Sequence, residues 1–247
     1  MDLGLRDRVY LVTGGSKGLG FATALALVGE GARVVLTGRS PDTVASAAAE
    51  LGAVGVACDN TDPDTPARLL DVARERFGRV DGLLLSVGGP PAGTVTQATD
   101  DQWRSAFESV FLGAVRLART VAAELGEGGS IVFVLSSSVR APIAHLGISN
   151  GLRPGLAMVA KSMANEFGPR GVRVNGLLPG RIATDRMTYL DAQVTPEKRD
   201  AALAAIPAGR YGEPDEFGRV AAFVLSPAAS YVTGTMIPVD GGQLPVF

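Results

Sequence analysis

The sequence predicts an α/β protein, a doubly wound sheet of about seven parallel strands with helices on both faces. Three observations predict it. Short apolar, mainly β-branched runs alternate with segments of helical periodicity along the whole chain. The strand runs are apolar at almost every position, as strands buried on both faces are. Each connection is long enough to hold a helix, so consecutive strands run parallel through right-handed crossovers.

The elements follow in order. Residues 8–12 form the first strand, and Gly18–Gly29 has helical spacing. Residues 32–37 are a second β-branched run. Pro41–Leu51 is Ala-rich; Ser40 is its N-cap, and Pro41 takes the first helical position, where no N–H is needed. Residues 53–57 are the third strand. Residues 63–77 are amphipathic and stop at Gly78, a helix terminator. Residues 80–85 are a nearly unbroken apolar strand, 100–125 one long helix and 130–136 the fifth strand. A helix then ends near Phe167. Pro154 lacks an N–H and disfavours α geometry in the residue before it, so this helix is expected to begin close to Pro154, with Asn150 or Arg153 near its cap. Residues 172–178 are the sixth strand, Pro214–Leu225 a helix and 235–239 the last strand. No linker, repeat or charge block divides the chain, so residues 1–247 are expected to form one domain. The polar stretch 185–211 breaks the rhythm and is expected to be a substrate lid.

Composition limits the function classes. Lys+Arg 23 against Asp+Glu 25 leaves a net charge of −2, which disfavours nucleic-acid binding. Cys58 is the single cysteine and His145 the single histidine, so neither an intrachain disulfide nor a metal set is expected. Cys58 reads as a small buried apolar residue. No apolar run reaches the ~18–20 residues of a membrane span, and the N-terminus lacks a signal-peptide pattern. A cytoplasmic location is expected. The 32 glycines exceed the usual ~7% share and suggest tight turns or close approach to a ligand.

Thr13-Gly14-Gly15-Ser16-Lys17-Gly18-Leu19-Gly20 lies between the first strand and the first helix. A diphosphate held by backbone N–H groups at a helix N-terminus needs a loop free of obstructing side chains. Gly14 allows the turn, Gly18 the approach, and Gly20 the packing of helix on strand. The strand–loop–helix context makes this a dinucleotide-binding loop of Rossmann type, although its spacing differs from G-x-G-x-x-G.

Thr-Gly-x-x-x-Gly-x-Gly after the first strand resembles the short-chain dehydrogenase/reductase family. Cys58-Asp59, Pro179-Gly180, Tyr231-Val232-Thr233-Gly234 and Pro238-Val239-Asp240-Gly241-Gly242 agree with it, and the resemblance runs from about Leu5 to the C-terminus. Within the family the chain is similar to β-ketoacyl-acyl-carrier-protein reductases. The resemblance implies that Asp59 and Asn60 flank an adenine. It also places Val87, Gly88, Pro179, Gly180 and Ile182 about the nicotinamide, and Thr184 by the diphosphate. It implies a homodimer or homotetramer built on the long helix and the helix after Pro154. The apolar tail Leu244-Pro245-Val246-Phe247 suggests a second interface.

The cofactor's identity can be read at the second strand's end. An acidic residue there binds the ribose 2′-hydroxyl in NAD-selective folds. Between Gly31 and Pro41 there is no Asp or Glu. Arg39 offers a fork of donors to a 2′-phosphate, and Lys17, with Ser16 and Leu19 in the glycine loop, a second positive charge. NADP(H) is therefore expected in preference to NAD(H).

The family's catalytic set is Ser, Tyr and Lys, with an Asn on the preceding helix. Lys lowers the pKa of Tyr, which gives its proton to the forming alkoxide. Aligned on Lys161-Ser162-Met163-Ala164-Asn165-Glu166, the Ser position is Ser136, the Tyr position Ser149, the Lys position Arg153 and the Asn position Val110. Only Ser136 is kept. A serine hydroxyl is a poor general acid, and arginine keeps its proton, so Arg153 can hold the nicotinamide ribose hydroxyls and steady an oxyanion but not shuttle protons. Gly88-Gly89-Pro90-Pro91 is a second departure and stiffens the loop after the fourth strand. His145, Tyr189, Tyr211 or water stand as substitute proton donors, and Arg140 as a site for an anionic group.

The expected function is an NADP(H)-dependent oxidoreductase with a non-standard active site, in which Ser136, Ser149 and Arg153 act on a small or acyl-carrier-linked carbonyl compound. The alternative is a cofactor-binding sensor or scaffold that has lost hydride transfer.

Overall fold

The structure is a computed structural model and describes residues 1–245. Val246 and Phe247 of the expected tail interface lie outside the described residues. In chain order the elements are β1 (Val9–Val12), α1 (Gly18–Gly29), β2 (Arg33–Gly38), α2 (Pro41–Leu51), β3 (Val54–Ala57), α3 (Thr65–Phe77), β4 (Gly82–Leu85), α4 (Asp100–Ala106), α5 (Gly113–Glu124), β5 (Ser130–Val134), α6 (Gly147–Phe167), β6 (Arg173–Pro179), α7 (Asp185–Asp191), α8 (Pro196–Ala204), α9 (Pro214–Leu225) and β7 (Met236–Val239).

The seven strands form one sheet in the order β3-β2-β1-β4-β5-β6-β7, with every pairing parallel. Side chains alternate across a strand, so each apolar run supplies two cores. Leu11, Val35, Leu83 and Ile131 face one side with Leu69 of α3, Leu117 of α5 and Leu156 of α6. Tyr10, Val34, Leu36 and Leu84 face the other with Leu27 of α1, Val44 of α2 and Phe217 of α9. The chain first builds outward from β1 to β3, then returns to β4 on the other side of β1. The connections after β1 and β4 therefore diverge, and a crevice opens at the carboxyl ends of these strands.

Most predicted elements stand within a residue or two of their expected bounds. Two do not. The helix over 100–125 is interrupted by a π-helical turn at Phe107–Leu112 that holds Val110. Its start is fixed by a capping box of Thr99 and Gln102. The second correction concerns Pro154. It does not start its helix; it lies inside α6, which begins at Gly147. Tertiary contacts hold the early turn. Gly147 N–H donates to Gly93 O at 2.9 Å, and Asn150 N–H to Leu146 O at 2.9 Å. The Asn150 amide clasps Ile143 through its N–H (3.0 Å) and its carbonyl (2.8 Å). These bonds outweigh the local bias of a residue that precedes proline. As a result Ser149 and Arg153, one helical turn apart, share a face of α6.

The stretch 185–211 contains two helices, α7 and α8. Arg181 ties the end of β6 to α7 through Asp191 at 2.9 Å, and the Tyr211 hydroxyl donates to the same carboxylate at 3.0 Å. Among the described residues no helix is long and apolar enough to cross a membrane.

Candidate functional site

The crevice at the strand ends is a cleft of ≈ 1140 Å³. It is built from the glycine loop after β1, the ends of β2 and β3, the loop after β4, the end of β5, the first turns of α6 and the segment from Pro179 to α7.

The glycine loop is locked to the β4 exit. The Thr13 hydroxyl donates to Ser86 O at 3.0 Å and accepts from Ser86 N–H at 3.0 Å. Gly14 has φ +58°, and a Cβ there would lie 2.5 Å from Ser86 O. No other residue fits this turn. A Cβ on Gly20 would run into the Gly14 carbonyl, so Gly20 lets α1 start tight against the loop. Lys17 is the extended N-cap of α1 and makes no side-chain cap bond. The first-turn N–H groups, which lack intrahelical partners, thus form a cradle suited to a phosphate.

Of the expected cofactor residues, Gly14, Ser16, Lys17, Gly18, Leu19, Arg39, Asp59, Asn60, Val87, Gly88, Pro179, Gly180, Ile182 and Thr184 all line the cleft. Gly20 does not; it stands behind the loop. Lys17 and Arg39 are exposed at one end. The Asp59 carboxylate is held by the Thr61 N–H and hydroxyl, both at 2.9 Å. Thr184 caps α7 by accepting from Met187 N–H at 3.4 Å. Cys58 also lines the cleft, half-buried, and burial pushes its thiol pKa up.

Ser136, Ser149 and Arg153 meet in the same cleft, with Val110 beside them. Ser136 lies two residues past the end of β5, and its oxygen accepts the Ser138 N–H at 3.1 Å, which leaves its own proton free to donate. Ser149 is buried, and its hydroxyl has no hydrogen-bond partner among the described residues. Arg153 is only 5% exposed. It donates to Val134 O at 2.7 Å and Val87 O at 3.4 Å and has no carboxylate partner among the described residues. Burial pushes its pKa down to about 10, with the positive charge of Arg186 acting in the same direction.

The candidate proton donors lie elsewhere. His145 is exposed with φ +60°, turned out by the bridge that pairs its carbonyl with Gly93 N–H at 2.7 Å. Tyr189 is exposed and covered by the Arg186 guanidinium. Tyr211 is committed to Asp191 and Arg181, and burial pushes its pKa up. Among the described residues, none of these three lines the cleft, and neither does Arg140, whose guanidinium donates to Met236 O at 2.8 Å. The residue that sequence reasoning missed is Arg186. It lies on α7, lines the cleft and donates to Pro90 O at 2.8 Å. Nothing in its local sequence announces this partner.

Residues 14–243 match the protein family described as Enoyl-(Acyl carrier protein) reductase. The 3-oxoacyl-[acyl-carrier-protein] reductase FabG of Vibrio cholerae is 32% identical over 245 residues, covering 98% of this chain and 99% of the relative. L-Sorbose reductase from Gluconobacter frateurii, solved in complex with NADPH and L-sorbose, superposes with a TM-score of 0.89 at 30% identity over 100% of both chains. A short-chain dehydrogenase/reductase from Brucella melitensis, titled glucose/ribitol dehydrogenase, gives 0.92 at 29% identity over 98% of this chain and 99% of that one. The seven-stranded parallel sheet, the glycine loop at its switch point and these likenesses agree: the chain belongs to the short-chain dehydrogenase/reductase family and is an oxidoreductase of that type.

Proposed function

We propose that this chain is an NADP(H)-dependent oxidoreductase acting on a carbonyl or hydroxyl compound through a site made of Ser136, Ser149 and Arg153. The observation that carries the reading is the burial of Arg153 in the same cleft as the two serines and the glycine loop. The NADPH complex of the sorbose reductase supports the cofactor class.

The residues present fit a dinucleotide phosphate. The uncapped N-terminus of α1 and the glycine-only turn at Gly14 suit the diphosphate. Lys17 and Arg39, with no acidic residue between Gly31 and Pro41, suit a 2′-phosphate over a free hydroxyl. Asp59 and Asn60 would flank the adenine; Val87, Gly88, Pro179, Gly180 and Ile182 would border the nicotinamide. When bound, the group supplies hydride chemistry at a carbonyl carbon.

The protein's part is positioning and charge. The Ser136 hydroxyl, already accepting from Ser138 N–H, donates its proton in a hydrogen bond to the substrate oxygen. Ser149 donates to the same oxygen or to a water. Arg153, with its pKa about 10, keeps its charge at neutral pH and stabilises a developing alkoxide. It does not give up a proton there, so water entering the open cleft protonates the alkoxide. None of the four tyrosines of the chain lines this cleft among the described residues, which supports a site without the family's Tyr–Lys pair. The substrate class is a small or acyl-carrier-linked carbonyl compound, in line with the FabG relative. Residues 185–211 act as the lid of a single domain. Phe107 and Met158, large apolar side chains left exposed on the π turn and α6, favour a homodimer or homotetramer.

The test is titration with NADPH and NADH followed by nicotinamide fluorescence, then a carbonyl screen under saturating NADPH. Tighter NADPH binding with turnover is expected. Binding with no turnover of any carbonyl leaves the sensor reading, which the missing tyrosine favours. Binding of neither nucleotide overturns the oxidoreductase reading.

A further inference from the structure

Two buried or half-buried arginines of this chain contrast with a third. Arg173, at the far end of β6, spends its fork on four carbonyls, those of Val224, Val232, Leu225 and Ser226, at 2.8 to 3.3 Å. It is a structural clamp with little capacity left. Arg153 is as deeply buried, yet it makes two bonds, and the one to Val87 O is 3.4 Å long. Arg186 makes a single bond, to Pro90 O. Neither has a carboxylate partner among the described residues, and both line the cleft.

The two guanidiniums belong to one local arrangement. Arg153 holds Val87 and Arg186 holds Pro90, carbonyls close together at the start of the connection after β4. Gly89 lets Arg186 lie flat on that loop: a Cβ there would sit 2.9 Å from the guanidinium. Tyr189 covers the other side at 5.2 Å from the ring centroid. Two cations held on one loop without counter-charge are costly in a partly dry cleft. An anion reaching both would supply that counter-charge and fill their free donors, and the guanidinium fork matches the planar carboxylate. Asp185 and Asp101 also border the cleft, but Asp101 is paired with Arg104 at 3.0 Å and neither acid pairs with these arginines.

We infer that Arg153 and Arg186 form a carboxylate subsite, and that the substrate is a small oxo acid or hydroxy acid rather than a neutral sugar or thioester. The inference rests on the oxidoreductase reading for its carbonyl half and on the arginine pair for its anionic half. The carbonyl oxygen lies at Ser136 and Ser149. The carboxylate lies toward Arg186; Arg153, about one helical turn and some 5–6 Å from Ser149 on α6, has donors left for both the carboxylate and the carbonyl oxygen. A carboxylate a few bonds from the carbonyl spans that distance.

The experiment compares 3-oxobutanoate with its methyl ester. Calorimetric titrations of both are run on the full chain with and without saturating NADPH, for the wild type, Arg186→Gln and Arg186→Lys. Arg186 is half-buried on a short surface helix, so these variants are expected to fold, and circular dichroism checks it. In the wild type the acid is expected to bind at least about tenfold more tightly than the ester. Arg186→Gln should remove that preference, and Arg186→Lys should restore part of it. NADPH affinity, measured separately, should change less than about threefold, well under the cost of a lost charged pair. An acid that binds no better than its ester, with no binding of either included, overturns the inference. So does an Arg186→Gln protein that loses NADPH and acid in equal measure, because the pair would then serve the cofactor's diphosphate. Failure of the wild type to bind NADPH would overturn the cofactor reading alone; the acid preference is still decided by the titrations without nucleotide.

Discussion

Arg153 and Arg186 grip the same loop at neighbouring carbonyls: Arg153 donates to Val87 O at 3.4 Å and Arg186 to Pro90 O at 2.8 Å. One comes from α6, packed on the sheet, and the other from α7, in the polar excursion after β6. The Gly88–Pro91 loop is thus held between the fixed core and the expected lid. Movement of α7 would carry Arg186 with it and release the Pro90 carbonyl.

Ser136→Ala removes the donor proposed for the substrate oxygen while leaving β5 intact. A drop of about 10²-fold in kcat is expected, with little change in NADPH affinity. Unchanged turnover would take Ser136 out of the mechanism.

Arg39→Asp places a carboxylate where the second strand ends and withdraws the guanidinium. NADPH affinity should fall about 10- to 100-fold while NADH affinity holds or improves. Fluorescence titration with both nucleotides reads the ratio. An unaltered ratio would place the 2′-phosphate elsewhere.

Arg153 carries its charge below a pKa of about 10 and loses it above. The rate of carbonyl reduction should therefore show no break from this residue between about pH 6 and 9, and an alkaline decline near 10. A limb between 6 and 8 would instead report a histidine or a strongly perturbed group.

Pro154→Ala restores a donor inside α6, where proline cannot serve the carbonyl four residues back. Because the early turn is already pinned by Asn150, the change is expected to stabilise by about 1 kcal/mol and raise Tm by about 2–4 °C. Thermal unfolding checks it. A lowered Tm would mean that the proline ring itself contributes to the packing of α6.

Gly14→Ala meets both a positive φ and the Ser86 carbonyl. A loss of about 1–3 kcal/mol in stability is expected, together with weakened nucleotide binding. Thermal unfolding and NADPH titration read the two effects separately.

By itself the sequence determined the α/β class, the succession of strands and helices along the chain and the glycine loop. Those features are written in local patterns: unbroken apolar runs, helical periodicity, and glycines that no other residue replaces. Pro41–Leu51 and Pro214–Leu225 were legible to the residue because a proline at the first helical position marks each start. That Ser136, Ser149 and Arg153 border one cleft agrees with the expectation drawn from their spacing within the family's pattern. Tertiary structure decided the rest. α6 runs through Pro154 because bonds to Gly93 and Ile143, distant from the proline, stabilise its first turn. The π turn at Phe107–Leu112 sits between a capped start and Gly113, where a Cβ would meet Asn60 O at 2.5 Å. His145 and Tyr211 were plausible donors by proximity in sequence, yet the backbone turned one outward and a carboxylate held the other. Arg186 joined the site from a segment of unremarkable polarity, across 96 residues from Pro90. Local pattern reports what one segment buries; it carries no information on which distant backbone carbonyl a long cationic side chain will reach, and that is settled only when the sheet brings the loop after β4 and the helix after β6 to the same edge.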